Sequence, residues 1–302
     1  MEKSLGKLVS EVELKKLKII PIQKQNFYLA EQFILQKEEQ CVSLSSFVRR
    51  RSENLFFVIE GKELFSVNQI VGIFYLNNTF FHFFPEITKI QNPVFINQFI
   101  DFLKINNLKI KSVNGEKNST QIFLNILKEI NSPYQINNYN LMTLNFAEQK
   151  KLPPPNQMFN DEHIIRCTQN DMENLFLLEK KYLVEEVLPF NRKITDIEVT
   201  LNLRRILKNQ LCFALVSDGE IVSKANTNAI GLNFVQLGGI YTLPQYRQNG
   251  YARQTVCALC RRIFYAKKNV ALFVKEKNYA AAALYNSLNF RTVGQYIIAY
   301  FY

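Results

Sequence analysis

The chain has 302 residues, of which 47% are hydrophobic, so it is long enough for two domains that each bury a core. Its net charge of +11 suits a polyanionic ligand, although general solubility explains the same surplus. Five cysteines, no apolar leader and no run near the roughly 18 apolar residues of a membrane helix predict a cytoplasmic protein with reduced thiols and no membrane partner.

The first half of the chain alternates strand-like and helix-like segments. Periodicity and turn residues predict them in this order: an edge strand at 17–22, two helices within 25–51, strands at 55–59, 69–75 and 79–84, a helix at 94–106, a strand at 110–113, a helix at about 118–130 and a strand at 139–145. This order predicts an antiparallel meander that continues into strand–helix units.

A linker separates this half from the second. Residues 147–156 contain three successive prolines, which favour an extended, semi-rigid spacer. We therefore predict a first domain at 1–147, a linker at 148–161 and a second domain at 162–302. The second domain begins with these segments: a strand at 163–168, a helix at 171–183, an irregular connection at 185–190, a helix at 194–207, and strands at 211–216 and 220–229.

The next stretch is the most informative part of the sequence. An apolar strand, 234–243, ends at Pro244, and apolar positions from Ala252 onwards recur at helical spacing. Between them lies the turn 247–252, Arg-Gln-Asn-Gly-Tyr-Ala. Free amides at the start of a helix bind phosphate, and Gly250 has no Cβ to keep a ligand away from the backbone. Taken alone, such a turn is more often an ordinary start of a helix.

A second motif follows directly. Residues 271–275 read as a strand, and Asn278 precedes a helical pattern that ends at Phe290. Asn278 is a good N-cap for a helix whose first residues are small. The chain then closes with a strand at 292–302, whose aromatic and aliphatic residues either pair across a homodimer or complete the sheet.

These two motifs resemble the GNAT superfamily of acyl-CoA N-acyltransferases. R-x-x-G-x-A at 247–252 matches its pyrophosphate-binding motif, and N-x-x-A-x-x-L-Y-x-x-L-x-F at 278–290 matches the element that follows it. The resemblance implies an α+β fold with a mixed, mostly antiparallel sheet flanked by helices, and acetyl-CoA as a ligand.

The order of elements in the first half matches the GNAT layout a second time. The segment 113–116 has no R-x-x-G-x-A, however, and its Glu116 lies near where a phosphate would bind. We interpret the first half as a degenerate GNAT-like domain without cofactor. The chain is then a tandem of two GNAT-like domains.

The resemblance also implies where acetyl-CoA lies: in a cleft where strands 234–243 and 271–275 splay apart. Gly238-Gly239 marks a bulge there or, equally, a pair of packing glycines. The residues that the resemblance assigns to the cofactor are Ile240, Tyr241, Thr242, Arg247, Gln248, Asn249, Gly250, Tyr251, Ala252, Asn278 and Tyr285.

Tyr285 is the general acid that the resemblance implies, and aromatic packing is its alternative role. A phenol with a reference pKa near 10 is protonated at neutral pH and can donate to a leaving thiolate. Many GNATs carry a carboxylate on or near the preceding strand, but 233–243 contain none. Glu185 and Glu186 are candidates for the base, and we select Glu186. A water chain is an alternative base, and a solvated acidic pair is the alternative interpretation of the two glutamates.

The predicted function is transfer of an acetyl group from acetyl-CoA to an unidentified amine, a small molecule or a peptide, by direct attack on the thioester. A non-catalytic acyl-CoA-binding or protein-interaction module is the alternative, and a longer acyl donor is a second enzymatic option. Arg49-Arg50-Arg51 is the single basic triplet and no nucleic-acid motif accompanies it, so no nucleic-acid partner is expected.

A metal site is not expected either. Cys257 and Cys260 have the spacing of a metal or redox pair, but they lie inside a predicted helix and no second pair exists. The only histidines are His82 and His163. Since His82 stands in an aromatic strand, we expect it to pack in the core.

Overall fold

A computed structural model describes residues 17–106, 109–128, 132–152, 163–189 and 192–301. In the first half these residues form strands β1 (Leu17–Pro21), β2 (Leu55–Glu60), β3 (Ile70–Leu76), β4 (Thr79–Phe83), β5 (Ser112–Glu116) and β6 (Gln135–Leu144). The helices of this half are α1 (Phe27–Ile34), α2 (Val42–Arg49), α3 (Ile87–Ile90), α4 (Pro93–Ile105) and α5 (Lys117–Leu127).

The second half repeats the plan. Its strands are β7 (His163–Arg166), β8 (Cys212–Ser217), β9 (Glu220–Ile230), β10 (Phe234–Thr242), β11 (Asn269–Lys275) and β12 (Arg291–Tyr300). Its helices are α6 (Met172–Tyr182), which continues into one π-helical turn (Leu183–Val187), α7 (Asp196–Asn209), α8 (Tyr251–Tyr265) and α9 (Tyr279–Ser287). The predicted linker lies partly in a 3-10 turn (Phe146–Lys151) and, for its three prolines, outside the described residues.

The twelve strands of the described residues belong to one sheet, in the order β1-β2-β3-β4-β5-β12-β6-β11-β10-β9-β8-β7. The strands of the first half begin at one edge of the sheet and those of the second half at the other. Neighbouring strands are antiparallel except for two parallel pairs, β4 with β5 and β10 with β11. This mixed sheet flanked by helices confirms the predicted α+β fold class.

The two halves exchange their last strands. β12 pairs with β5 of the first half on one edge and with β6 on the other, whereas β6 pairs with β11 of the second half. The strand of each half that follows its parallel pair therefore completes the sheet of the other half. Since both edges of β12 are paired, the closing strand completes the sheet within the chain and offers no free edge to a second copy.

Each half has a hydrophobic core between its helices and the sheet. In the first half, aromatic rings from β3, β4, α4 and α5 interlock: Phe80 lies 5.5 Å from Phe74 and 4.9 Å from Phe123, between ring centroids. In the second half, α8 buries the apolar positions predicted from its helical spacing against the sheet. Cys257 and Cys260 are among these buried residues, so their spacing reflects packing on one helix face.

Within the described ranges, no group of histidine, cysteine and acidic side chains has the arrangement of a metal site. No helix in the same ranges combines the length and apolar character that a membrane span requires.

Candidate functional site

The two parallel strands at the centre of the second half separate along their length. β10 pairs with β11 only from Phe234 to Leu237, opposite Asn269 to Leu272, and beyond this point both strands continue unpaired to one another. A cavity of about 680 Å³ opens between them. The predicted cleft is therefore present at the predicted strands.

A β-bulge accompanies the separation. From Gly238 to Tyr241 the chain of β10 advances three residues, while β9 advances two, from Asn226 to Lys224. Gly239 has a φ of +57°, and a Cβ at this position would overlap the side-chain amide of Asn226. The bulge therefore requires glycine at 239, both for its backbone conformation and for space.

The predicted phosphate turn lies at one end of the cavity. Gln248 and Gly250 both have positive φ, +68° and +78°, so the backbone curls immediately before α8. Gly250 is the N-cap residue of α8 and has no side chain with which to cap this helix. The amides of Ala252 and Arg253, which an N-cap side chain normally bonds, are therefore open to an anion.

Most of the predicted cofactor residues line this one cavity. The exception is Asn249, whose side-chain amide instead contacts the Tyr246 carbonyl at 3.5 Å. The lining residues that the sequence predicted are Ile240, Tyr241, Thr242, Arg247, Gln248, Gly250, Tyr251, Ala252, Asn278 and Tyr285. Asn278 also caps α9, because its Oδ1 accepts a hydrogen bond from the Ala281 amide at 3.1 Å.

Tyr285 projects from α9 to the cavity wall and is 6% exposed. Burial raises the pKa of its hydroxyl above the usual value, and the nearby Tyr182 and Glu186 add to that effect. The phenol is thus protonated throughout the physiological range, as a proton donor must be. Its ring also packs against Phe290, with centroids 5.8 Å apart.

The two glutamates of the π-helical turn, Glu185 and Glu186, have different partners. The Glu185 carboxylate accepts hydrogen bonds from the Tyr241 hydroxyl at 2.6 Å and from Arg247 Nη2 at 3.1 Å. These two partners lower the pKa of Glu185. Glu186 lines the cavity and lies 3.3 Å from Lys275 Nζ. Both glutamates are partly exposed and each pairs with a cation, and of the two Glu186 is the one that lines the cavity.

Four further tyrosines, Tyr139, Tyr182, Tyr246 and Tyr300, line the cavity and were not predicted. Tyr182 ends α6, Tyr300 lies on β12, and Tyr139 comes from β6 of the first half. Burial raises the pKa of Tyr139 and of Tyr182 to about 12. No local pattern could identify Tyr139 as a site residue, since it reaches the cavity only through the exchange of strands.

The first half contains a topological counterpart of the cavity, and side chains fill it. The parallel strands β4 and β5 pair as far as Phe81 and Asn114. Immediately after this point, His82 and Phe84 pack against Phe123, with ring centroids 4.8 and 5.1 Å apart. Burial lowers the pKa of His82 to about 3, so its ring is neutral. His82 packs in the core, as the sequence predicted.

The counterpart of the phosphate turn is closed as well. α4, which corresponds to α8, begins with Pro93, which has no amide hydrogen, and Asn92 Oδ1 caps the Val94 amide at 2.8 Å. The expectation that Glu116 marks the phosphate position was wrong, because Glu116 precedes α5, the counterpart of α9. Its carboxylate caps α5 by accepting two backbone hydrogen bonds of 3.0 Å each. At the start of α4, Asn92 thus occupies one amide and Pro93 provides none.

Comparisons with known proteins agree with this architecture. A family model described as FR47-like protein matches residues 217–298, which span β9 to β12. No curated protein is significantly similar to the chain in sequence.

Several solved structures share the whole fold. A Drosophila protein is 10% identical, with a TM-score of 0.64 over 93% of this chain and 98% of its own. A GCN5-related N-acetyltransferase from Sphaerobacter thermophilus is 11% identical, with a TM-score of 0.58 over 94% of each chain. A tandem GNAT protein from the clavulanic acid biosynthesis pathway is 9% identical, with a TM-score of 0.57 over 94% of this chain and 98% of its own. The chain therefore has a GNAT fold in tandem arrangement.

Proposed function

We propose that the chain is an N-acetyltransferase that takes its acyl group from acetyl-CoA and transfers it to an amine. The observation that carries the proposal is the cavity between β10 and β11, which combines an unpaired strand edge with the uncapped start of α8. Among the described residues of the first half, the counterparts of both features are filled or capped. We therefore expect one binding site per chain.

The residues present fit coenzyme A by their chemistry. The backbone of Ile240 to Thr242 lies along the cavity, where it can pair with the amides of the pantetheine arm as an added strand does. Arg247, Arg253 and the first amides of α8 provide positive charge for the pyrophosphate. Glu185 holds Arg247 in place through the 3.1 Å ion pair.

Bound acetyl-CoA would supply a thioester whose carbonyl carbon an amine attacks directly, so that a C–N bond forms and the C–S bond breaks. Glu186 is the proposed acceptor of the proton that the amine loses, because it is the carboxylate that lines the cavity. Tyr285 is the proposed donor of a proton to the departing sulfur. No cysteine acts as a nucleophile, and the five cysteines are buried.

The arrangement of Glu186 supports its role. Its ion pair with Lys275 joins two side chains that are 35% and 32% exposed, so solvent screens it. Such pairs contribute about 0–1 kcal/mol, so a substrate amine can displace Lys275 at small cost. The carboxylate can thus bind an ammonium group and then accept its proton.

Calorimetric titration of the full chain with acetyl-CoA tests the proposal. We expect binding at one site per chain, followed by release of free thiol when a small amine or peptide that serves as acceptor is added. Absence of acetyl-CoA binding would contradict the proposal at its first step. Binding without thiol release across a broad amine and peptide panel would instead favour a non-catalytic acyl-CoA-binding module.

A further inference from the structure

An ion pair lies in the interior of the second half, behind the cavity. Nζ of Lys224, on β9, is 2.8 Å from Oε2 of Glu179, on α6, and neither side chain has any exposed surface. Removing each ion from water costs several kcal/mol, and apolar side chains of similar volume often replace such pairs without loss of stability. Packing alone therefore does not explain why this pair is present.

The ammonium group of Lys224 is surrounded by oxygens. Besides Glu179, it contacts Asn226 Oδ1 at 2.9 Å and the Gly239 carbonyl oxygen at 2.8 Å. The other carboxylate oxygen of Glu179 accepts a hydrogen bond of 2.7 Å from Asn202 on α7. The pair thus joins α6 and α7 to one particular peptide group of β10.

That peptide group belongs to the β-bulge. Regular pairing between β9 and β10 is interrupted between Gly238 and Tyr241, so the ladder does not fix the orientation of the Gly239 carbonyl. The charged bond from Lys224 fixes it instead. In a trans peptide unit the C=O and the following N–H point in opposite directions. Holding the Gly239 carbonyl on Lys224 therefore turns the Ile240 amide the other way, and Ile240 lines the cavity.

Tyr182, which lines the cavity, lies next to the same ammonium group. The Nζ of Lys224 lies 5.1 Å from the centre of the Tyr182 ring. Burial raises the pKa of Tyr182, and the nearby backbone of Gly239 partly offsets that rise. The ammonium group that bonds the Gly239 carbonyl is thus also in contact with the cavity wall.

We propose that Lys224 and Glu179 are positioning residues that set the bulge of β10 and so direct the Ile240 amide into the cavity as a hydrogen-bond donor. The proposal rests on the proposed function in one respect, that this donor serves the acyl-carrying end of the ligand. Neither residue touches the ligand. The pair acts through the backbone of Gly239.

The double variant Lys224→Met with Glu179→Leu tests this role, because it removes both charges and leaves none unpaired. We expect it to fold, with a stability in urea that is lowered because Asn202, Asn226 and the Gly239 carbonyl each lose a hydrogen-bond partner. The backbone amide resonances of Gly239 and Ile240 should shift in the ligand-free protein. Acetyl-CoA affinity should fall about three- to tenfold, as for one lost hydrogen bond, and kcat about 10- to 100-fold.

A matched control is Lys180→Met on the same helix. It breaks an exposed pair with Asp196, at 2.7 Å, and should change none of these readouts. A second double variant, Lys224→Gln with Glu179→Gln, keeps polar groups at both positions, but the glutamine at 224 is too short to reach the Gly239 carbonyl. If the apolar variant does not fold, this second variant should show the same resonance shifts.

A folded double variant with unchanged Gly239 and Ile240 resonances would overturn the proposal. So would shifted resonances with unchanged acetyl-CoA affinity and kcat. If the native chain does not bind acetyl-CoA at all, the proposed function fails, and the resonances alone still decide whether the ion pair positions the bulge.

Discussion

Replacing Gly250 by glutamate separates a role in phosphate binding from a role in backbone conformation. Gly250 and Gly219 have the same φ, +78°, and a Cβ at either position would have no neighbour within 4 Å. Gly219 lies in the turn between β8 and β9, whereas Gly250 lines the cavity at the start of α8. Gly219→Glu is thus a control matched in conformation, space and added charge.

Both substitutions force a side chain into the left-handed region, which destabilises the fold by about 1–2 kcal/mol in each case. Only the Gly250 variant places a carboxylate beside the uncapped amides of α8. Two like charges about 5 Å apart repel by about 1 kcal/mol in water and about 3 kcal/mol at an effective dielectric constant near 20. We therefore expect acetyl-CoA to bind about 5- to 150-fold more weakly to Gly250→Glu than to Gly219→Glu.

Calorimetry at low and at high salt provides the assay. The difference in acetyl-CoA affinity between the two variants should become smaller at high salt, since ions screen exposed charges at this distance. Equal affinities for acetyl-CoA in the two variants at low salt would refute the assignment of the phosphate site to this turn. A difference that does not change with salt would show that the electrostatic part of the reasoning is wrong.

Three further predictions address the rest of the molecule. Tyr285→Phe should lower kcat about 100-fold and leave acetyl-CoA affinity unchanged, because only the proton donor is lost; a parallel loss of affinity would instead indicate a packing role. Residues 162–302 expressed alone should not bind acetyl-CoA by calorimetry, because β6 is missing. Addition of residues 1–161 should restore binding. Full affinity of the isolated half for acetyl-CoA would contradict the importance of the exchange of strands. His82 is neutral in the fold down to a pKa of about 3, whereas in the unfolded chain it gains a proton below about 6.5, so the free energy of unfolding should fall as pH drops through this window. In His82→Gln the urea midpoint should fall less over the same window, and an equal fall would assign the acid sensitivity to other groups.

Sequence reasoning predicted the structure correctly where that structure depends on neighbouring residues. The turn around Gly250 and the cap at Asn278 are local, so residue type and spacing were enough to predict them. The prediction for Glu116 was wrong because a glycine before a helix looks the same in sequence after either strand of the parallel pair. Only the order of strands in the sheet distinguishes the two helices. Tyr139 and Lys224 were missed for a different reason. Their roles arise from contacts with strands and helices distant in sequence, which periodicity does not encode.

The exchanged strands also affect how the protein is made. During synthesis, β5 leaves the ribosome long before β12, the strand that covers its inner edge. Until residues 291–300 emerge, the sheet of the first half therefore has an open edge, of the kind that pairs readily with other chains. The nascent first half cannot complete its fold ahead of the second, as sequential domains usually do. Folding of both halves thus awaits one late step, and chaperone demand should be greatest just before it.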